Sequence, residues 1–444
     1  MVTGIRRRWR DHDRQIARLA VPAFFALVAE PLFLLADTAI VGHLGTPELA
    51  GLAIAGTVLQ TVVGLAVFLA YGTTASVARH LGADDLAGAL RTGLSGVWLA
   101  LVLGTLAALA CAAGSETIIG WFGTSDAVDV HAEVYLRVSA FGIPAMLVVL
   151  ATTGILRGLQ DTRTPLVVAI AANLVNIALN LLLVYGLNMG VAGSALGTVI
   201  AQWGSALALG LVVVRAAIRE RSSLRPDVGE ILAAARTGVP LIVRTLTLRA
   251  ALLLATLVAA GMSAASVAAH QIALTVVTTL AFALDAIAIA GQAMTGRYLG
   301  AGDVAGARRA TARMITWGWR CGVLATVTLA VLSPWLAHAF SDDEAVRAAS
   351  VGALLVVAVV QPVSGIVFVL DGVLIGAGDG RYLAYAGLLT LVAYVPLAAL
   401  VWHLGAGLVW LWAAYGVFML ARMVTLVARE RGAAWLVTGA RTAG

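Results

Sequence analysis

Arg79 to Arg91 reads RHLGADDLAGALR, and Arg297 to Arg309 reads RYLGAGDVAGARR. Nine of the thirteen positions are identical at a shift of 218 residues. The same register continues beyond them: Phe122 falls on Phe340, Pro144 on Pro362, Gly158 on Gly376, Asp161 on Asp379 and Arg163 on Arg381. Further on the shift becomes 217, where Val184 meets Val401, Leu187 meets Leu404 and Gly190 meets Gly407, as a single insertion would produce. A constant shift over so much of a chain marks a duplicated unit.

The duplicated unit is apolar. Of 444 residues 61% are hydrophobic and 12% charged, about half the charged share of an ordinary soluble domain, and the mean hydropathy is +0.96. So little polar surface cannot cover a water-soluble fold of this length, which places the perimeter in lipid and excludes long soluble domains. Each unit holds six apolar runs, near 16–41, 49–78, 92–113, 131–157, 164–186 and 190–214, then 239–261, 267–296, 310–337, 350–376, 382–403 and 407–428. A spanning helix needs about 20 such residues. The expected fold is therefore an all-α integral membrane protein, with twelve transmembrane helices in two parallel six-helix repeats. Residues 1–214 form the first lobe, 215–238 a cytoplasmic linker and 239–444 the second lobe. The run 16–41 is too long, and too polar at Glu30 and Asp37, for a cleaved signal, so it reads as the first span. Cys111 and Cys321 lie in apolar runs, which argues against a disulfide framework or a thiolate metal site.

Charge sets the orientation. Every basic residue is Arg, and with the N-terminus in the cytoplasm 25 of the 29 lie on that side, all but Arg137, Arg244, Arg249 and Arg347. The opposite loops carry Glu116, Asp126, Asp342, Asp343 and Glu344. By the positive-inside rule both termini are cytoplasmic, as expected for a multi-pass protein of the inner (plasma) membrane. The Arg-rich segment 215–236 then reads as a cytoplasmic loop and not as a nucleic-acid site.

Ionisable groups at membrane depth are expensive and point to function. Here they are Glu30, Asp37, Arg244, Arg249, Asp285 and Asp371. Glu30 and Asp37 are two turns apart on one face of the first span. Asn173, Asn176 and Asn180 share a face of the fifth, and Thr198 and Gln202 a face of the sixth. Three polar stripes thus face a common interior in the first half. In the second half Gln271, Thr278, Asp285 and Gln292 follow at seven-residue steps, Gln361, Ser364 and Asp371 share a face, and Arg244 and Arg249 can neutralise the two acids. No Arg falls in the spans expected around Glu30 and Asp37, and a desolvated carboxyl without a cationic partner is suited to loading and releasing protons. No Walker motif, no His pair at metal-binding spacing and no nucleophile cluster is present, so neither ATP hydrolysis nor an embedded enzyme is expected, and no cofactor.

Glu30-Pro31-Leu32 followed by Asp37-Thr38-Ala39-Ile40-Val41-Gly42-His43-Leu44-Gly45 resembles the multidrug and toxic compound extrusion (MATE) transporters. Ala268-Ala269-His270-Gln271-Ile272-Ala273, Gly296-Arg297-Tyr298-Leu299-Gly300 and Asp371-Gly372-Val373-Leu374-Ile375-Gly376-Ala377-Gly378-Asp379 resemble the branch typified by DNA-damage-inducible protein F. The resemblance implies two lobes forming a V, and a monomeric antiporter that exports cationic or other amphipathic small molecules by alternating access. It also implies a cation-coupling site at Asp37, Asn176, Asn180 and Thr198. Glu30, Asn173, Gln202, Arg244, Gln271, Thr278, Asp285 and Asp371 form a secondary polar set. Several members of the family have an aspartate where this chain has Asn180, which favours protons over sodium. A lipid-linked-precursor flippase shares the fold but carries a strongly cationic cavity, for which this chain offers only Arg244 and Arg249.

Overall fold

A backbone in hydrocarbon must satisfy its own polar groups, which helices do and open sheet edges do not. The computed structural model describes residues 2–440, with side chains from residue 12 onward, and every regular element in it is helical. The basic residues Arg6 to Arg10 and Arg441 lie outside the described side chains. The first repeat contains α1 (Val2–Gly42), α2 (Thr46–Gly82, interrupted at Val67), α3 (Leu86–Ala113), α4 (Asp126–Ala140 and Ile143–Gly158), α5 (Arg163–Gly186) and α6 (Gly190–Arg219). The second contains α7 (Val228–Ala260), α8 (Ala264–Gly300), α9 (Val304–Phe340), α10 (Glu344–Gly376), α11 (Gly380–Leu404) and α12 (Leu408–Arg431). Among the described residues eleven helices are long and apolar enough to cross a membrane, and the two segments of α4, bent by 50°, make a twelfth span. The bend falls at Gly142 and Pro144, where proline withholds an amide and its ring crowds the preceding turn.

The repeat motif explains how successive spans turn around. In the first copy Asp85 accepts from the amide of Gly88 at 2.8 Å, capping α3; in the second Asp303 accepts from Gly306 at 2.7 Å, capping α9. The identical glycines leave room for these carboxylates, since a Cβ on either would collide with the capping side chain.

Contacts divide the chain into two units, Pro22–Gly238 and Met1–Val21 with Val239–Gly444. In the first, α2, α3, α4 and α6 close on a core of Val77, Leu90, Leu94, Ile155, Leu156, Leu209 and Val213. In the second, α10 is central, with Val367, Leu370, Val373 and Leu374 fully buried against α8, α9 and α12. There α9 crosses α10 at Gly318 and Gly365, so closely that a Cβ on Gly365 would lie 2.7 Å from the carbonyl carbon of Gly318. Small residues allow this approach where lipid supplies no hydrophobic drive between helices.

These boundaries differ from those read off the repeat. The start of α1 groups with the second repeat because Asp13 accepts from Arg313 Nε at 2.5 Å, Arg313 Nη2 at 2.6 Å and Trp317 Nε1 at 2.8 Å. The segment expected as a linker is largely helix: α6 runs to Arg219 and α7 begins at Val228. Its second part groups with the first repeat, with Glu230 bonded to Arg91 at 2.9 Å and Ser95 at 3.1 Å.

Candidate functional site

Four side chains close a ring in the first unit. Asn180 Nδ2 donates to Asp37 Oδ1 and, at 3.1 Å, to Asn176 Oδ1; Asn176 Nδ2 donates to Thr198 Oγ1 at 3.0 Å; Thr198 Oγ1 donates to Asp37 Oδ2 at 3.4 Å. Asp37 is 2% exposed, and Asn176 and Asn180 are fully buried. Local sequence makes the ring. Asn176 and Asn180 are one turn apart on α5, and directly after Asn180 the helix widens into a π turn, Leu181–Gly186, which re-aims the residues that follow. Gly197 on α6 lets that helix come against Asn180, since a Cβ there would strike Asn180 Oδ1 and lie 3.4 Å from its amide nitrogen.

The side chains that donate to Asp37 are the neutral Asn180 and Thr198, and no cation pairs with it among the described residues. Both carboxylate oxygens accept hydrogen bonds, while Asn180 Oδ1 is buried with no donor among the described residues. The ring therefore holds one formal charge and one vacant acceptor. Tyr135, 4% exposed on the first segment of α4, lies within electrostatic reach of Asp37 and beside Thr198, a member that the sequence reading did not pick out. Its signal was the four-residue step from Tyr135 to Ser139, one face of a single span.

The other first-half residues do not join the ring. Asn173 Nδ2 donates to the carbonyl of Ala29 at 3.0 Å, pinning α5 to α1. Gln202 is half-buried with its amide oxygen against Gly142 at the α4 bend. Glu30 is exposed, and Arg157 acts on it, so the expectation that neither acid has a cation nearby fails for Glu30. Arg157 ends the first-half span that runs to 157, and the bend in α4 sets the direction of the segment carrying it.

In the second unit Asp371, 3% exposed, accepts on one oxygen from both Arg244 Nη2, at 2.7 Å, and Arg422 Nη2. Arg244 thus pairs with an acid as expected. The second cation is a correction: Arg422, counted with the cytoplasmic arginines, is 6% exposed inside α12, whereas Arg249 is exposed on α7. It packs there because α12 lies along α10 and presents Arg422 at the depth of Asp371. On α8, Gln271 and Thr278 are exposed, the Thr278 hydroxyl bonding back to the Leu274 carbonyl at 2.8 Å, Asp285 is half-buried and Gln292 is 2% exposed. Among the described residues no group of three His, Cys, Asp or Glu could hold a metal ion.

Twelve apolar spans in two parallel repeats, with a lone carboxylate ringed by amides at membrane depth, define a membrane carrier. The MatE family profile matches residues 22–182 and again 240–400, the same 218-residue offset as the internal repeat. The chain belongs to this family, the MATE transporters. It is 32% identical over 424 residues to Protein DETOXIFICATION 44, chloroplastic, of Arabidopsis thaliana, covering 92% of this chain and 80% of that protein. It is also 32% identical over 301 residues to DNA damage-inducible protein F of Escherichia coli, covering 66% of this chain and 64% of that one. Over 332 residues it is 25% identical to the probable multidrug resistance protein NorM of Thermotoga maritima, covering 72% and 69%. Among solved structures, a variant of the MATE transporter VcmN of Vibrio cholerae superposes with TM-score 0.87 at 20% identity, over 96% of this chain and 99% of that one. A MOP superfamily transporter from Pyrococcus furiosus gives 0.85 at 21% identity, over 95% and 96%. These last two likenesses concern the fold. The chain is a multi-pass membrane protein of a transporter family that handles small molecules, and its members are transporters, not enzymes.

Proposed function

We propose that the chain is a proton-coupled exporter of amphipathic small molecules, cations among them, working by alternating access with Asp37 as the group that carries the proton. The observation behind this reading is the closed ring around Asp37. Its carboxylate is desolvated, has only neutral donors beside it, and lies at membrane depth. Ionised, Asp37 accepts from Asn180 and Thr198, as in the ring described above. Protonated, it must donate, and rotation of the Asn180 amide would offer Oδ1 as the acceptor. A proton taken from the outer side would be released inward as the carrier returns with its cavity empty, and export of one substrate would follow each cycle. The multidrug resistance proteins among the relatives support small-molecule export. The Arg distribution supports cytoplasmic termini in the inner (plasma) membrane, and we read the protein as a monomer.

Asp37→Asn tests the assignment, because it keeps shape and hydrogen bonding while removing the titratable proton. In membrane vesicles, export driven by an imposed pH gradient should fall to background while the variant inserts at wild-type levels. Wild-type proton-driven export by Asp37→Asn refutes the assignment.

A further inference from the structure

The π turn after Asn180 also acts on the C-terminal end of α1. Along α5, Asn173, Asn176 and Asn180 follow at steps of three and four on one face. An α-helix turns about 100° per residue, so residues 183 and 184 would come next on that face, with Tyr185 about 140° away from Asn180. Between Leu181 and Gly186 the backbone bonds instead at a spacing of five, as from the Leu187 amide to the Leu182 carbonyl at 2.8 Å. The wider turn brings Tyr185 back toward the face of Asn180.

There the Tyr185 hydroxyl donates to the Ile40 carbonyl at 2.5 Å. That carbonyl lacks a helical donor. α1 ends at Gly42, and the Leu44 amide, which would continue the ladder to Ile40, bonds to the Val41 carbonyl at 2.9 Å. The tyrosine is 41% exposed, so burial does not account for its placement. A tyrosine that only anchored a span at the membrane surface would turn its hydroxyl to water and headgroups, whereas this one is turned onto a neighbouring helix.

α5 thus holds α1 at three points: Asn173 donates to the Ala29 carbonyl at 3.0 Å, Asn180 to the Asp37 carboxylate and Tyr185 to the Ile40 carbonyl. The middle point depends on charge, because a protonated Asp37 must donate and the Asn180 amide must then accept. The two flanking points do not, since both end on peptide carbonyls. The side chains facing Asp37 from α4, α5 and α6 are Tyr135, Asn180 and Thr198, and none of these is a cation that could take over the hold.

We infer that Tyr185 is a positioning residue of the ion site: its hydrogen bond to Ile40 clamps the end of α1 to α5, so that Asp37 keeps its place in the ring in both protonation states. This rests on the reading of Asp37 as the proton carrier and deepens it.

Tyr185→Phe tests the clamp, because it removes the hydroxyl and keeps the exposed ring. Export in vesicles under an imposed pH gradient should fall about three- to tenfold, the scale of one hydrogen bond, with insertion at wild-type levels. Position is read separately by difference infrared spectroscopy of the purified full chain in lipid, at a pH low enough to protonate Asp37, whose carbonyl band is identified by its absence in Asp37→Asn. The band should be narrow in the unmodified protein and broadened in Tyr185→Phe, as the carboxyl samples several hydrogen-bonded settings. Deletion of Leu182, which is exposed, returns the turn to α spacing and carries Tyr185 off the Asn180 face. It should broaden the band to the same extent, and Tyr185→Phe should add nothing in that background. An unchanged band in Tyr185→Phe overturns the positioning role and leaves Asp37 as the proton carrier. Absence of any Asp37 band across the pH range overturns both.

Discussion

At the scale of single residues, Asn180 decides which ion the ring can hold. Sodium is a hard cation that gives up its hydration shell only to several oxygens, and fixed negative charge favours it further. Asp37, Asn176, Asn180 and Thr198 could supply oxygens but one charge, and the proton competes for that charge. Transport should therefore follow the proton gradient and change little when sodium is replaced by choline. Asn180→Asp adds a second carboxylate and should confer or strengthen sodium dependence, read as uptake into vesicles under opposed sodium and pH gradients. Export driven by a sodium gradient at constant pH in the unmodified protein would count against this view. Asp37, Asn176, Asn180 and Thr198 were legible because each is polar in an apolar run and three helical stripes converge. Tyr135 was not, since a tyrosine in a span also suits the interface or the core. Arg422 was not, since its place near a helix end looks the same whether it snorkels outward or turns in to a carboxylate.

At the scale of elements, the ion cluster ties three helices, α7, α10 and α12, through one carboxylate. Asp371→Ala would leave two guanidinium groups buried without their shared partner, a change that costs about 3–5 kcal/mol when such a pair is broken. The expected outcome is a large drop in thermal stability in detergent, well beyond that for a variant at the exposed Thr278. A second element-level prediction concerns the cap of α3. The Gly88 amide and the His80 ring hold the Asp85 carboxyl below its ordinary 3.8. A carboxyl depressed in the folded state adds stability that is present above 3.8 and is lost as pH falls through the lower folded value. Asp85→Ala should remove about 0.5–2 kcal/mol near neutral pH, the range for helix N-caps, and this gap should close in strong acid. A constant difference across that range, followed by thermal unfolding, would show that the side chain acts otherwise. The spans themselves were legible from apolar length. The bend in α4 was legible only as Pro144, because proline marks a possible break without fixing its angle. The early start of α7 was missed because Arg236 and Glu230 look like loop residues until Glu230 is seen to bond to Arg91.

At the scale of the whole molecule, topology is the quantity that charge and repeat predict together. Six spans per repeat return the chain to its starting side, so both repeats share one orientation, and the arginine bias sets it. The duplication was legible because the turn between the second and third spans of each repeat needs the same capping Asp and small glycine, which keeps RHLGADDLAGALR and RYLGAGDVAGARR alike. The grouping of residues 12–21 with the second repeat was not legible, because it depends on Asp13 meeting Arg313 and Trp317 across about 300 residues of sequence, a distance no local pattern reports. The orientation can be tested with single cysteines in a background lacking Cys111 and Cys321. Ser223 follows α6, and Thr124 and Asp342 follow α3 and α9; all three are exposed. Ser222, though adjacent, is a poorer site because its hydroxyl bonds to the Ala87 carbonyl at 3.0 Å. With cytoplasmic termini, a membrane-impermeant thiol reagent applied to intact cells should label Thr124→Cys and Asp342→Cys, and should reach Ser223→Cys only after the membrane is opened. Labelling of Ser223→Cys and Asp342→Cys from the same side would mean that an odd number of spans does not separate them. Labelling of Thr124→Cys and Asp342→Cys from opposite sides would make the repeats inverted, and the charge argument would then have failed for one of them.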